Sequence, residues 1–309
     1  MRTLAAVLLA GTLAWGDAVR LKSGEVIVGQ VVKTAPDVVV RMDDGSQVTF
    51  KAADVAQILK GDAYKTFLGK KDAAKSPEER AAVAKWCFEQ ELVPEGRQLG
   101  EAILRDKDSD DLRKAIGLRR LESEWVWPDV LSAMQRAPYP KDIVWSLEWD
   151  ATDKDMKEWA DTVRKSALHL WRTTEGQIWL RSVKLQDKSK TGEVWVDPSD
   201  VHPSCGSGQI HLARQWYPTG QHYSFVHSWG HAFLDLPDEW DGGTQRSEKP
   251  TEKACVMGDS SLAAFCDDAN HVWPGASCWT RILKRLNKLR HPNPHPQEAP
   301  PVRIDVVNK

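Results

Sequence analysis

Two histidines four residues apart have the type and spacing that metal binding requires. His227 and His231 belong to the segment HSWGHAFLDLPDEW. Residues four apart lie on one face of a helix, so both imidazoles could bind the same ion. Such a pair also arises by chance on ordinary helix surfaces, and this chain has nine histidines. The pair therefore indicates a metal site only if further ligands accompany it.

Acidic residues follow the second histidine after a short turn. Leu236-Pro237 marks the turn, and Asp238 and Glu239 come directly after it. A carboxylate at this point could complete a set of three protein ligands and leave a fourth position open, as catalytic zinc sites require. Further along, the segment CVMG contains Met257.

Together these segments resemble the metzincin-type zinc metallopeptidases. That family has H-E-x-x-H on a helix, then a turn and a third ligand, and one subgroup continues as L-x-D-E-Y. Here the matching residues are HSWGH and LPDEW, and the resemblance covers about residues 138–290. It implies a zinc domain that binds polypeptide, with His227, His231 and Asp238 as ligands. Glu239 is the alternate ligand, and Met257 corresponds to the methionine beneath the metal.

Two positions depart from the family pattern. The glycine that allows the turn after the second histidine is missing, and Leu234 and Asp235 occupy that stretch. Ser228 stands where the family has its general-base glutamate. That glutamate takes a proton from zinc-bound water and passes it to the leaving amine. A serine hydroxyl is too weak a base for this near neutral pH, and general acid–base catalysis is worth about 10²–10⁴-fold.

Three functions are compatible with these residues. The first is an exported zinc peptidase homologue that is catalytically impaired at Ser228 but retains its zinc and a peptide-binding groove. The second is an active zinc endopeptidase in which Asp235, Glu239 or His222 substitutes for the base. The third is a structural or partner-binding module without metal, whose histidines are ordinary helix residues.

The five cysteines allow at most two disulfides. Cys255, Cys266 and Cys278 cluster near the C-terminus and are the candidates for a structural disulfide, with Cys205 upstream of them. Their pairing does not follow from the sequence. Cys87 lies in an apolar helical pattern, which predicts a buried thiol.

The N-terminus predicts export. Arg2, the apolar run Leu4–Trp15 and small residues up to Ala18 are typical of a signal peptide, assigned to residues 1–18. No other apolar run approaches the length of a membrane span. The mature protein is expected to be soluble, in the periplasm or outside the cell. A net charge of −2, with no basic segment, argues against nucleic acid as a partner.

The remaining sequence predicts an α+β multidomain fold. Residues 19–62 carry about five short Val-rich strands and resemble a small SH3-like or Sm-like barrel. Residues 63–128 are assigned to a helical spacer that resembles tetratricopeptide-type helix pairs, with helical periodicity from a capping box at Ser76 to about residue 122. The metzincin-like domain is assigned to 137–290, and 291–309 to a Pro-rich tail without packing signals.

Within the metzincin-like region, apolar periodicity and turn residues predict the order of the elements. A strand and a long helix come first, then further strands, the histidine helix and a final helix. The expected strands are Asp142–Trp149, one within Thr174–Leu185, Gly192–Asp197, and Gly208–Leu212 at the sheet edge. The expected helices are Asp153–Thr173, one from about Tyr223, and one from Trp279 to about Leu289.

Overall fold

The computed structural model describes residues 17–59, 61–121, 123–199, 204–206, 208–214, 221–238, 255–258, 262, 264–271, 275–293, 295–296 and 298–308. The described chain has a mixed α+β fold, as expected, and divides into two compact units, residues 1–119 and 120–309. Among the described residues, no helix has both the length and the apolar character needed to cross a membrane. Most of the expected signal peptide, residues 1–16, lies outside the described residues.

Six short strands begin the first unit, one more than the sequence predicted. They are β1 Ala18–Leu21, β2 Val26–Val28, β3 Gln30–Lys33, β4 Asp37–Arg41, β5 Gln47–Lys51 and β6 Val55–Leu59. Hydrogen bonds join them into two antiparallel sheets, ordered β2-β1-β6 and β3-β4-β5. Val19, Val38 and Val40 form a core to which strands of both sheets contribute.

The first folded residues lie inside the segment assigned to the signal peptide. Ala18 is fully buried in β1. The Asp17 carboxylate accepts hydrogen bonds from the backbone N–H groups of Val31 at 3.2 Å and Gly61 at 2.9 Å. Asp17 and Ala18 are therefore part of the folded unit, and the assigned boundary after residue 18 would cut into it.

Four helices complete the first unit: α1 Ala63–Ala73, α2 Pro77–Glu89, α3 Val93–Asp106 and α4 Asp110–Ile116. The capping box predicted at Ser76 is present, with Glu79 as its second member. Helix α1 was not predicted, because Phe67 is the one buried residue among its eleven. Arg20 on β1 donates to both carboxylate oxygens of Glu95 on α3, at 2.7 and 2.8 Å, and ties sheet to helix.

The second unit contains the predicted long helix and histidine helix. Residues 119–136 form a hairpin and a helix that the sequence did not predict, β7 Arg119–Leu121, β8 Glu124–Val126 and α5 Pro128–Arg136. The elements that follow are β9 Tyr139–Leu147, α6 Asp153–Thr173, β10 Ile178–Gln186, β11 Val194–Asp197, β12 Ser204–Gly206, β13 Gln209–Ala213, α7 Gln221–Leu234, α8 Cys278–Arg285 and β14 Arg303–Val307. Helix α6 has the predicted bounds, because Thr152 caps its first turn.

One six-stranded sheet organises this unit, in the order β12-β13-β11-β9-β10-β14. All neighbouring strands run parallel except β12, which pairs antiparallel with β13. The prediction that Gly208–Leu212 forms the edge is wrong, because β13 pairs on both sides and the three-residue β12 forms the edge. Helix α7 follows β13 and packs on the sheet through Phe225, Val226 and Trp229, all of which are buried.

The prediction of an unpacked Pro-rich tail at 291–309 is also wrong. Strand β14 pairs with β10, from Ser182 opposite Arg303 to Gln186 opposite Val307. Before it, the backbone N–H of Asn293 donates to the Glu175 carboxylate at 2.6 Å. The tail is thus part of the second unit. This pairing could not be predicted from the Pro-rich composition of the tail, because the partner strand β10 lies more than a hundred residues earlier in the chain.

Candidate metal centre

Helix α7 presents His227 and His231 one turn apart on its partly exposed side, with 22% and 21% of each side chain exposed. The Nδ1–H of His227 donates to the carbonyl of Val256 at 3.0 Å, and that of His231 donates to the carbonyl of Leu236 at 2.6 Å. These bonds fix each ring, and in the neutral form of each histidine they leave Nε2 unprotonated, which is the usual arrangement behind a metal-binding histidine.

The chain turns back after α7 and brings Asp238 to the two rings. Asp238 Oδ1 lies 3.2 Å from Nε2 of His227 and 3.1 Å from Nε2 of His231, and the two nitrogens are 3.1 Å apart. In a tetrahedral zinc site with bonds of about 2.1 Å, neighbouring ligand atoms are about 3.4 Å apart. An ion about 2.1 Å from all three atoms would sit about 1 Å out of their plane. The three residues predicted from the sequence therefore converge on one point.

A positive charge satisfies this arrangement, either a metal cation between the three groups or a proton on one Nε2. Both Nδ1–H groups are used by backbone carbonyls, so in the neutral rings the two Nε2 lone pairs and a carboxylate oxygen face one another. Three acceptors at this distance repel each other unless a positive charge lies between them. Burial would lower the pKa of His231, but its hydrogen bond to Asp238 and the charge of that carboxylate outweigh burial and raise the pKa.

Met257 lies directly beneath the histidine helix. It is fully buried. A Cβ added to Gly230, between the two histidines, would meet Met257 Sδ at 2.5 Å and Cε at 3.2 Å, so only glycine leaves room for this packing. The preceding residue, Val256, holds His227 through its carbonyl. The CVMG segment thus packs under the histidine helix and orients one of its two rings.

Two of the three side chains proposed as substitute bases, Asp235 and His222, contact other residues. Asp235 is exposed and pairs with Arg285 at 3.7 Å. The ring of His222 packs on Tyr223, and burial lowers its pKa. Ser228 is buried, with 4% of its surface exposed. Glu239, the alternate ligand, lies outside the described residues.

Cys205 is a residue near the site that the sequence did not single out. It belongs to the edge strand β12, which packs beside α7. Burial, and secondarily the charge of Asp238, raise the pKa of its thiol. No sequence pattern indicated this proximity, because a three-residue strand has no periodicity.

A second polar group lies at the ends of the parallel strands. The ligand atoms of Glu148, Asp197 and His211 are within 4.8 Å of one another. The Lys190 ammonium lies 2.7 Å from the Glu148 carboxylate and neutralises its charge. That hydrogen bond is the main cause of the raised pKa of Lys190. This group is therefore an internal ion pair, and the histidine triad is the better candidate for a metal.

The third convergent group consists of cysteines. Cys255, Cys266 and Cys278 are buried, and their sulfurs lie within 4.8 Å of one another. The sulfurs of Cys255 and Cys278 lie 3.6 Å apart, and the disulfide expected within this set stays a prediction. Cys87 is a buried thiol as predicted, and burial raises its pKa to about 12.

Comparison with known proteins adds no family to this geometry. No protein-family model matches the chain, and neither a curated protein nor a solved structure gives a significant match.

Proposed function

We propose that residues 137–290, extended by the packed tail, form a metzincin-like zinc domain that binds polypeptide and is catalytically impaired. The observation that carries this proposal is the triad of His227, His231 and Asp238, whose ligand atoms are 3.1–3.2 Å apart. Zinc accepts nitrogen and carboxylate oxygen ligands in this number when a fourth position stays open. The partial exposure of the three side chains keeps that position accessible to a water or a ligand.

Impairment follows from the position of Ser228. It occupies the helix position next to His227 at which the family has its general base, and its hydroxyl cannot take a proton from zinc-bound water near neutral pH. Asp235 and His222 contact other residues, as described above, which disfavours the alternative of an active peptidase with a substitute base. Zinc still lowers the pKa of its bound water to about 7, which would support a slow residual hydrolysis.

The edge strand supports a polypeptide as the ligand. Strand β12 pairs with β13 on one side, and it lies beside α7 in the described part of the chain. The backbone of an edge strand can add a further extended chain by hydrogen bonding. A polypeptide bound along Ser204–Gly206 would pass close to Asp238, whose charge reaches Cys205.

A peptidase assay on the wild type and on Ser228→Glu tests the proposal. We expect zinc-loaded wild type to show little or no cleavage of unfolded polypeptide substrates, and Ser228→Glu to cleave them. Because Ser228 is buried, folding of the variant is checked by circular dichroism and zinc content. Cleavage by the wild type that His231→Ala abolishes would instead establish an active peptidase. Failure of the wild type to bind zinc would support the metal-free module.

We also propose that the protein is exported after removal of residues 1–16. The apolar run Leu4–Trp15 supports this, and so do the hydrogen bonds of the Asp17 carboxylate, which a cleavage after residue 18 would remove. N-terminal sequencing of the mature protein is expected to give Asp17 as the first residue. A mature chain that starts at Val19 or retains Met1 would contradict the proposal.

A further inference from the structure

A buried cluster of sulfur atoms lies behind the CVMG segment. Cys255, Cys266 and Cys278 are each 1% exposed. The sulfurs of Cys255 and Cys278 are 3.6 Å apart, and all three lie within 4.8 Å of one another. In a tetrahedral zinc site with Zn–S bonds of about 2.3 Å, neighbouring sulfurs are about 3.8 Å apart. The distance between Cys255 and Cys278 is thus close to that of two ligands on a shared ion, and Cys266 lies within reach of the same ion.

Backbone N–H groups point at these sulfurs. Cys255 Sγ accepts from the N–H of Met257 at 3.4 Å and from the N–H of Cys266 at 3.3 Å. Cys266 Sγ accepts from the N–H of Cys278 at 3.2 Å. Hydrogen bonds from N–H groups stabilise a thiolate, which is the form that binds metal. The backbone is therefore arranged to hold negatively charged sulfur in a buried place.

His271 is the neighbouring side chain of the right type for a fourth ligand. Its Nδ1 lies 3.1 Å from Cys266 Sγ, but it does not belong to the set of ligand atoms that lie within 4.8 Å of one another, so the ring would have to move toward the other two sulfurs when metal binds. Three cysteines and one histidine make a complete ligand set for structural zinc, which is usually four-coordinate and closed to solvent. A disulfide would use two of the sulfurs and leave the third buried beside it. A metal ion uses all three, so it accounts for the convergence of the whole cluster.

We propose that Cys255, Cys266 and Cys278 bind a structural zinc ion, with His271 as the fourth ligand. This site is separate from the triad of His227, His231 and Asp238, and it does not depend on that triad binding metal. It would join three segments: the CVMG turn, the loop from Ala264 to His271, and the start of α8. Backbone hydrogen bonds already link them, from Val256 N–H to Ala264 at 2.8 Å and from Trp279 N–H to Cys266 at 3.0 Å.

The proposed zinc ion would also support the histidine triad. The residue after Cys255 is Val256, whose carbonyl holds the ring of His227. The next residue is Met257, which packs under Gly230. An ion that fixes Cys255 therefore fixes the segment on which the orientation of His227 depends.

The first test uses the wild-type protein, purified with zinc and without reductant. Metal analysis is expected to give about one zinc per chain beyond any bound by the histidine triad. Alkylation followed by peptide mass spectrometry is expected to show Cys255, Cys266 and Cys278 protected until a chelator is added. Cys87 is the internal control, because it is buried in the first unit and should stay unlabelled before and after the chelator is added. A disulfide between any two of the three cysteines in this sample would overturn the proposal.

The second test assigns the ion to these residues. Replacement of zinc by cobalt is expected to give thiolate-to-cobalt charge-transfer absorption in the wild type, in Cys205→Ser and in His231→Ala. Cys266→Ser is expected to lose most of this absorption, and His271→Ala to bind the metal at least tenfold more weakly. Cys266→Ser that retains the full absorption would refute the assignment. If it fails to fold, the labelling experiment on the wild type still decides the question.

Discussion

Gly230→Ala is the substitution that tests most sharply how Met257 supports the metal centre. The added Cβ would lie 2.5 Å from Met257 Sδ, and Met257 is fully buried. Overpacking of a core costs about 1–3 kcal/mol. Alanine in a helix gains about 1 kcal/mol over glycine. The net expectation is a loss of roughly 0–2 kcal/mol in the free energy of unfolding of the second unit.

The matched control is Gly69→Ala in helix α1. An added Cβ there would meet nothing within 4 Å. Only the helix propensity changes, so the first unit should gain about 0.5–1 kcal/mol. Urea denaturation of both variants, with the unfolding of each unit followed separately, measures whether Gly230→Ala destabilises the second unit while Gly69→Ala stabilises the first.

Zinc affinity gives Gly230→Ala a second readout. A shift of Met257 moves Val256, whose carbonyl holds His227. Loss of such an orienting bond typically costs 10–100-fold in metal affinity, so a decrease of about that size is expected. Gly69→Ala should leave the affinity unchanged. If Gly230→Ala gains stability as Gly69→Ala does and binds zinc like the wild type, Met257 does not support the helix.

Three further predictions follow from other contacts. Glu95→Ala leaves the largely buried Arg20 without its carboxylate and should lower the free energy of unfolding by about 3–5 kcal/mol, as measured by urea denaturation. Asp108→Ala breaks an exposed ion pair and should lower it by less than about 1 kcal/mol. Equal effects would contradict the structural role of the Arg20 pair. Burial alone would lower the pKa of His231, but its contacts with Asp238 raise it. Protons therefore compete with zinc for His231 at a higher pH than they do for an ordinary histidine. In a pH titration of zinc binding, the affinity should decrease as the pH falls through that raised value, and an affinity independent of pH between about 5 and 8 would count against histidine ligation. Deletion of residues 303–309 removes the pairing of β14 with β10 and should lower the free energy of unfolding of the second unit by roughly 3 kcal/mol; an unchanged urea midpoint would show that the tail does not contribute.

Local signals account for what could be predicted from the sequence. Helix α6 has a capping residue at Thr152, and its apolar face at Trp159, Val163 and Leu170 is buried as its periodicity indicated. The histidine pair could be read from helical spacing alone. Asp238 was predicted as a ligand from the turn at Leu236-Pro237 and from the family resemblance, because it lies beyond the helix and outside its periodicity.

Long-range pairing and weak periodicity explain what could not be predicted. Strand β14 is mostly exposed and pairs with a distant segment, so its five residues have no local pattern. Strand β12 has three residues, one of them glycine, and its position at the edge depends on β13. The cysteine spacing could not distinguish a disulfide from a cluster of three thiols, because both bring the same residues together.

Zinc binding by Asp238→Asn and Asp235→Asn measures the central claim most directly. The two acids are three residues apart in one loop, but only Asp238 contacts the histidines, while Asp235 pairs with Arg285. Metal analysis after dialysis, with competition titration against a zinc chelator, is expected to show loss of zinc from the histidine triad in Asp238→Asn and wild-type binding in Asp235→Asn. Equal zinc binding by both variants and the wild type would contradict a metal centre formed by His227, His231 and Asp238.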